Sequence, residues 1–190
     1  MLSSLFIALA YIVDLIFGDP RRIPHPVQGI GALITLAERF QLPFSSTKKS
    51  FGVLANLTVL AFVFGFSLLA ASIHWLVELY FLYTCLATRS LYNEGAKVSR
   101  ILAQGDMTLA RQELSYLVSR DTATMDQQQV TRSAMETIAE NTVDGITAPL
   151  FYMCIGALVS PWLPGACLAL AMTYKAINTF DSMWGYKNER

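Results

Sequence analysis

Apolar residues come in blocks along this chain, and the blocks differ in length and in how they end. Residues 2–17 (LSSLFIALAYIVDLIF) are nearly all apolar, with Asp14 the one charge, and Gly18 and Pro20 predict a stop. A bilayer crossing needs about 20 residues, so this helix is a tilted or partial span, or is buried against protein. Residues 18–50 read as a polar connection; within it Val27–Phe40 has helical apolar spacing and is expected to lie at an interface. Phe51–Ile73 contains no ionisable side chain and is long enough to span. Apolar character then continues from Trp75 to Thr88, past His74 and Glu78. At about 1.5 Å per residue the whole run exceeds one bilayer, so either one helix projects from the membrane or a second span follows a break near His74.

The pattern then changes. Residues 89–147 alternate polar and apolar positions as a helical insert does. Asp106 is placed to cap a helix over 107–119 and Asp126 one over 127–141, where Val130, Ala134 and Ile138 recur every four residues. Residues 145–174 carry no charge, but Ser160-Pro-Trp-Leu-Pro-Gly165 interrupts them. The flanking pieces, about 149–160 and 166–174, are of half-span length; they predict a re-entrant hairpin or one kinked span. Strand signals are weak throughout. The fold class expected is all-α: a polytopic membrane protein, one membrane-embedded domain over 1–190, with apolar segments at about 2–17, 51–73, 75–88 and 149–174 and a helical polar insert at 89–147.

Composition agrees. The chain has 190 residues, is 54% hydrophobic and only 15% charged, where a soluble domain is about a quarter charged. The formal net charge is zero, so nothing points to nucleic acid, and lipid and small molecules are the expected partners. Cys85, Cys154 and Cys167 lie in apolar stretches without zinc spacing and read as small buried hydrophobes. The N-terminus has no basic region and Asp14 breaks its apolar run, so it is expected to be retained rather than cleaved. Basic residues are frequent in 18–50, and six Lys/Arg fall in 89–147, which places both connections on the cytoplasmic side with an even number of crossings between them.

Three polar clusters sit at the ends of these runs. The first is Asp14–Pro26, where two carboxylates, two guanidiniums and an imidazole fall beside one Gly and three Pro. Charge at a membrane edge is costly, so the cluster is a candidate site. His25 lies between Pro24 and Pro26 on a stiff, extended backbone and could act as a base or meet phosphate. His74, in an apolar stretch, reads as a satisfied buried group. The second cluster is Glu136–Gly145: on a helix, Glu136, Glu140 and Asp144 share one face, where like charges repel unless a cation such as Mg²⁺ or solvent relieves them. The third is Tyr174–Arg190, with Asn178, Asp181, Ser182 and Gly185 on one helical side. There Asp181 could touch a metal and Lys175 a phosphate; the plainer reading is a helix leaving the bilayer with Lys175 snorkelling. Arg89 and Arg120 suit planar recognition of phosphate or carboxylate, or simply mark helix ends. No Walker loop is present.

Together these segments resemble the adenosylcobinamide-phosphate synthase family of cobalamin biosynthesis. They are D-x-x-x-G-D-P-x-x-x-P-H-P at 14–26, R-S-L at 89–91, S-R-D-T at 119–122, E-N-x-x-D-G-x-x-A-P-L-F at 140–151 and N-T-x-D-S-M-x-G-Y-x-N-E-R at 178–190. The resemblance implies a multi-pass inner-membrane ligase with a cytoplasmic active-site face, joining the carboxyl of adenosylcobyric acid to aminopropanol or its phosphate. It implies ATP and Mg²⁺, with the corrinoid as substrate, and a homo-oligomer or other cobalamin-pathway membrane proteins as partners. The roles then expected are Asp19, His25, Glu140 and Asp144 in catalysis; Arg21, Arg22, Arg89, Arg120, Lys175 and Asn178 on substrate or phosphate; and Glu140, Asp144 and Asp181 on metal. The family's chains usually continue past N-E-R, so this one is expected to be truncated relative to them. Two rival classes are a transporter component, with polar residues in broken helices, and a non-catalytic regulator of the same superfamily.

Overall fold

The computed structural model describes residues 2–19, 25–39 and 48–185, and among them the regular structure is entirely helical. The first helix, α1 (Leu2–Phe17), ends where glycine allows it to: Gly18 has φ +59° and its N–H returns to the Asp14 carbonyl at 2.8 Å. Next come α2 (Pro26–Arg39) and α3 (Lys48–Ile73). The expected break at His74 is present, and α4 (Trp75–Tyr83) follows. His74 is exposed rather than buried: in extended conformation, its Nδ1 accepts the Leu76 N–H at 3.2 Å and caps α4. At nine residues α4 is no ordinary second span.

The insert comprises α5 (Thr88–Ala103), α6 (Met107–Ser115) and α7 (Gln127–Thr142). Asp106 and Asp126 cap as anticipated, Asp126 through a reciprocal capping box with Gln129. Helix α6 ends at Ser115, earlier than the spacing suggests, because residues 116–118 turn and Thr122 Oγ1 donates to the Arg111 carbonyl. Val98, Ile101, Ala110, Leu114, Val130 and Ala134 form a small core of their own.

A π turn (Val143–Thr147) joins α7 without a break to α8 (Ala148–Val159), and α9 (Ala166–Trp184) returns antiparallel to it. Helix α9 is the hub of the larger core, burying Ala166, Cys167, Leu168, Ala169, Ala171, Met172, Ala176 and Phe180. Small residues let α8 close on it: a Cβ on Gly156 would come within 2.5 Å of the Ala166 carbonyl oxygen and the Cys167 Cα. Two helical runs, Phe51–Ile73 and Gln127–Val159, are long and apolar enough to cross a membrane. In α3 the small Ala55, Ser67 and Ala70 face inward, while Val53, Leu54, Leu57, Phe62, Phe66, Leu69 and Ile73 face out, the arrangement expected where lipid replaces water.

Candidate functional site

The three polar clusters meet through α5, whose start lacks a side-chain cap of its own: Ala87 stands at the N-cap position. Asp14 supplies the anion from α1. Its side chain is completely buried and Oδ2 accepts the Thr88 N–H at 2.7 Å. One turn onward the Asp19 N–H donates to Ser90 Oγ at 3.0 Å. The close approach depends on Gly18, since a Cβ there would sit 3.1 Å from Arg89 Cγ and 3.3 Å from Ser90 Oγ. Tyr83 O–H donates to the Gly18 carbonyl and holds the turn against α4. Three side-chain oxygens at this junction, Asp14 Oδ1, Asp19 Oδ1 and Thr88 Oγ1, are buried without a hydrogen-bond partner.

His25 begins α2. Its Nδ1 accepts the Val27 N–H at 3.3 Å, and its Nε2 lies 3.6 Å from Asp19 Oδ1. With Nδ1 accepting from the backbone, any ring hydrogen is on Nε2, on the Asp19 side but too far from it for a hydrogen bond. Arg21 and Arg22 fall outside the described residues.

Pro149 links the second cluster to the same junction. A proline within a continuous helix has no N–H for the carbonyl four residues back, here Gly145. That carbonyl instead accepts the Ala87 N–H at 2.9 Å, just before α5. The π turn makes room for the proline. Within this turn Asp144 faces α9: Oδ1 accepts the Tyr174 hydroxyl at 3.1 Å and Oδ2 the Asn178 amide at 2.9 Å. The second and third clusters are thus joined directly, and both are joined to the first through residues 87–90.

The expected residues separate into two groups. Asp19, His25, Arg89, Asp144, Lys175 and Asn178 lie on the elements that meet here, and neither Arg89 nor Lys175 has an ion-pair partner among the described residues. Arg120 does not join them: it pairs with Glu136 at 3.4 Å, and Arg132 pairs with the same carboxylate at 2.8 Å. The repulsion expected along α7 is relieved at Glu136 by these arginines and at Asp144 by α9. Glu140 and Asp181 are exposed. Among the described residues no group of three or more His, Cys, Asp or Glu side chains could hold a metal ion, so Glu140, Asp144 and Asp181 are not gathered into a preformed cation site. Sequence reasoning counted Asp14 in the first cluster and Tyr174 in the third but gave neither a role, and it passed over Pro149. It also passed over Tyr83 and Thr88, which carried no signal because their partners are distant in the chain.

Comparison with known proteins places these contacts in context. The family model described as CobD/Cbib protein matches residues 7–190. A relative named cobalamin biosynthesis protein CobD, from Geobacter metallireducens, is 45% identical over 189 residues, covering 95% of this chain and 56% of its own length. A relative named cobalamin biosynthesis protein CbiB, from Salmonella typhimurium, is 42% identical over 193 residues, covering 96% of this chain and 57% of its own. A CobD relative from Citrobacter koseri is 42% identical over the same shares. The chain therefore spans a little over half the length of these relatives. No solved structure matches it.

Proposed function

The chain belongs to the CobD/Cbib protein family, and on that premise we propose that it serves a membrane-embedded ligase activity that forms an amide between adenosylcobyric acid and aminopropanol or its phosphate. The observation that carries this reading is the junction itself. Clusters separated by more than a hundred residues are stitched together by Asp14–Thr88, Asp19–Ser90, Ala87–Gly145 and Asp144–Asn178. In this reading the protein is multi-pass in the inner membrane, and the junction opens to the cytoplasm.

A carboxylate is a poor electrophile, and Mg²⁺–ATP, when bound, supplies the phosphoryl group that activates it. The chain's own residues bind and orient. Arg89 and Lys175, with Arg21 and Arg22 beside the same turn in sequence, receive phosphate oxygens. Asp144, fixed by Tyr174 and Asn178, presents a rigid negative wall at the start of α8. Glu140 and Asp181, both exposed, are left to approach a metal carried in with the nucleotide. His25, with Nδ1 committed to the backbone, faces Asp19 through Nε2 at 3.6 Å and is placed to meet substrate beside it rather than to serve as a free base. Arg120 stands at Glu136, about 12 Å along α7 from Asp144, and would meet only a long substrate.

The test is product formation, followed by mass spectrometry, from adenosylcobyric acid and aminopropanol phosphate or aminopropanol with Mg²⁺–ATP. It is run on this chain and on its Asp144→Asn, Lys175→Ala and Asn178→Ala variants, with the full-length Geobacter metallireducens relative beside them. Wild type should form the amide, and each variant should lose at least about tenfold in kcat/KM, the equivalent of 1.4 kcal/mol. A folded wild-type relative that forms no amide would overturn the reading.

A further inference from the structure

We propose that the junction of α1 and α5 is a binding site for one hard divalent cation of the Mg²⁺ class, held by Asp14, Asp19 and Thr88. This site is separate from the carboxylates of α7 and α9, and the inference stands whether or not the amide-forming reading does.

Three observations carry it. The first is burial without satisfaction. Asp14 is 0% exposed, and although Oδ2 takes the Thr88 N–H, Oδ1 has no partner. Leaving a buried polar atom unpaired costs about 1–3 kcal/mol, and more for a charged group. The second is coincidence. The buried side-chain oxygens and nitrogens without partners, among the described residues, are Asp14 Oδ1, Asp19 Oδ1 and Thr88 Oγ1, and all belong to this junction. Thr88 and Ser90 lie two apart in the first turn of α5; one is bonded to Asp14, the other to Asp19. The third is charge. Among the described residues neither aspartate is ion-paired to a Lys or Arg, and His25 Nε2 stands 3.6 Å from Asp19 Oδ1, beyond hydrogen-bond distance.

Chemistry selects the ligand. Carboxylate oxygens are acceptors only, so what completes them must donate or be positive. A water would satisfy the hydrogen bonds but bring no charge to two carboxylates that pair with no Lys or Arg among the described residues. A cation supplies both needs. The donors are all oxygen, which excludes soft metals. Two carboxylates and a hydroxyl, with remaining positions for water or substrate oxygens, is a set that Mg²⁺ accepts and that needs no third acidic group. Asp14 then has two roles: one oxygen caps α5 and the other ties that cap to the ion. Through it, cation binding fixes the angle between the α1 turn and the insert.

The experiment is a titration of the purified 190-residue chain in detergent micelles with Mn²⁺, bound and free ion being read by electron paramagnetic resonance. One Mn²⁺ per chain should bind and be displaced by Mg²⁺. Asp14→Asn and Asp19→Asn should each weaken it at least about tenfold, the smallest loss typical even for an outer-shell partner. Thr88→Val should weaken it more than Thr88→Ser, and Glu113→Gln, in the ion pair with Lys97, should leave it unchanged. If Asp14→Asn fails to fold by circular dichroism, Asp19, whose side chain is 32% exposed, decides the matter. No Mn²⁺ bound to folded wild type overturns the proposal. So does binding insensitive to both aspartate changes, or displacement by 1-amino-2-propanol but not by Mg²⁺, which would mark an ammonium site instead.

Discussion

Glycines set the close approaches on which this molecule depends, and their substitution separates conformation from space. Gly156 has ordinary helical geometry, but its missing Cβ is where the α9 backbone passes. Gly156→Ala should therefore push α8 off α9 and cost at least about 3 kcal/mol, beyond ordinary overpacking. Gly18→Ala meets two obstacles, a left-handed φ of +59° and Arg89 Cγ at 3.1 Å. It should lose about 1–2 kcal/mol from the backbone alone. Gly29, inside α2 with nothing near it, should tolerate alanine and gain up to about 1 kcal/mol. Unfolding of the three variants in mixed micelles ranks them; equal losses would contradict the packing described. The same method applies to Asp144, whose oxygens each hold one donor. Tyr174→Phe and Asn178→Ala should each cost about 1.5–3 kcal/mol, as for hydrogen bonds to charged groups. The double variant should fall short of additivity, because a released carboxylate can turn to solvent or to a cation.

Helix ends carry the organisation of the elements. Both histidines cap helices through Nδ1, His25 on α2 and His74 on α4. Asp126 holds α7 by a capping box, and Asp126→Ala should lower stability by about 1 kcal/mol in the same unfolding measurement. The π turn is of another kind. Pro149 frees the Gly145 carbonyl for Ala87, and so couples α8 to α5. Pro149→Ala returns an N–H to the helix and sets it in competition with Ala87 for one oxygen. Overall stability should change little, since one bond replaces another. The Ala87 amide, however, should exchange with deuterium about five- to tenfold faster, corresponding to about 1 kcal/mol lost from that contact. An unchanged Ala87 rate would mean the proline has no part in the junction.

At the scale of the whole molecule, what the sequence revealed and what it hid divide by range. The end of α1 at Gly18, the break at His74 and the caps at Asp106 and Asp126 were legible because each depends on neighbours a few residues away. The continuity of α7 into α8 was not: the spacing gave one helix over 127–141 and a separate apolar piece from about 149, and only the distant Ala87 accounts for the freed Gly145 carbonyl. The polar half of α9, read as a site cluster or more plainly as a helix leaving the bilayer, proves to be the partner of Asp144 across 34 residues of chain. This pairing bears on topology. Because α8 and α9 run antiparallel from a tip at 160–165, the polar ends at Thr142 and Ser182 return to the same side. Although the whole run Gln127–Val159 is long and apolar enough to cross a membrane, its charge-free part beyond Asp144, Gly145–Val159, rises only about 22 Å, short of a hydrocarbon core of about 30 Å. The tip should stop within the membrane, with Trp162 facing lipid. The exposed Cys154 is first replaced by serine to give a quiet background. Thr142→Cys and Ser182→Cys should then react with an impermeant maleimide from the cytoplasmic face alone, and Trp162→Cys should react slowly from either. Labelling of Thr142→Cys and Ser182→Cys from opposite faces would break the hairpin arrangement and, with it, the single site that unites the three clusters.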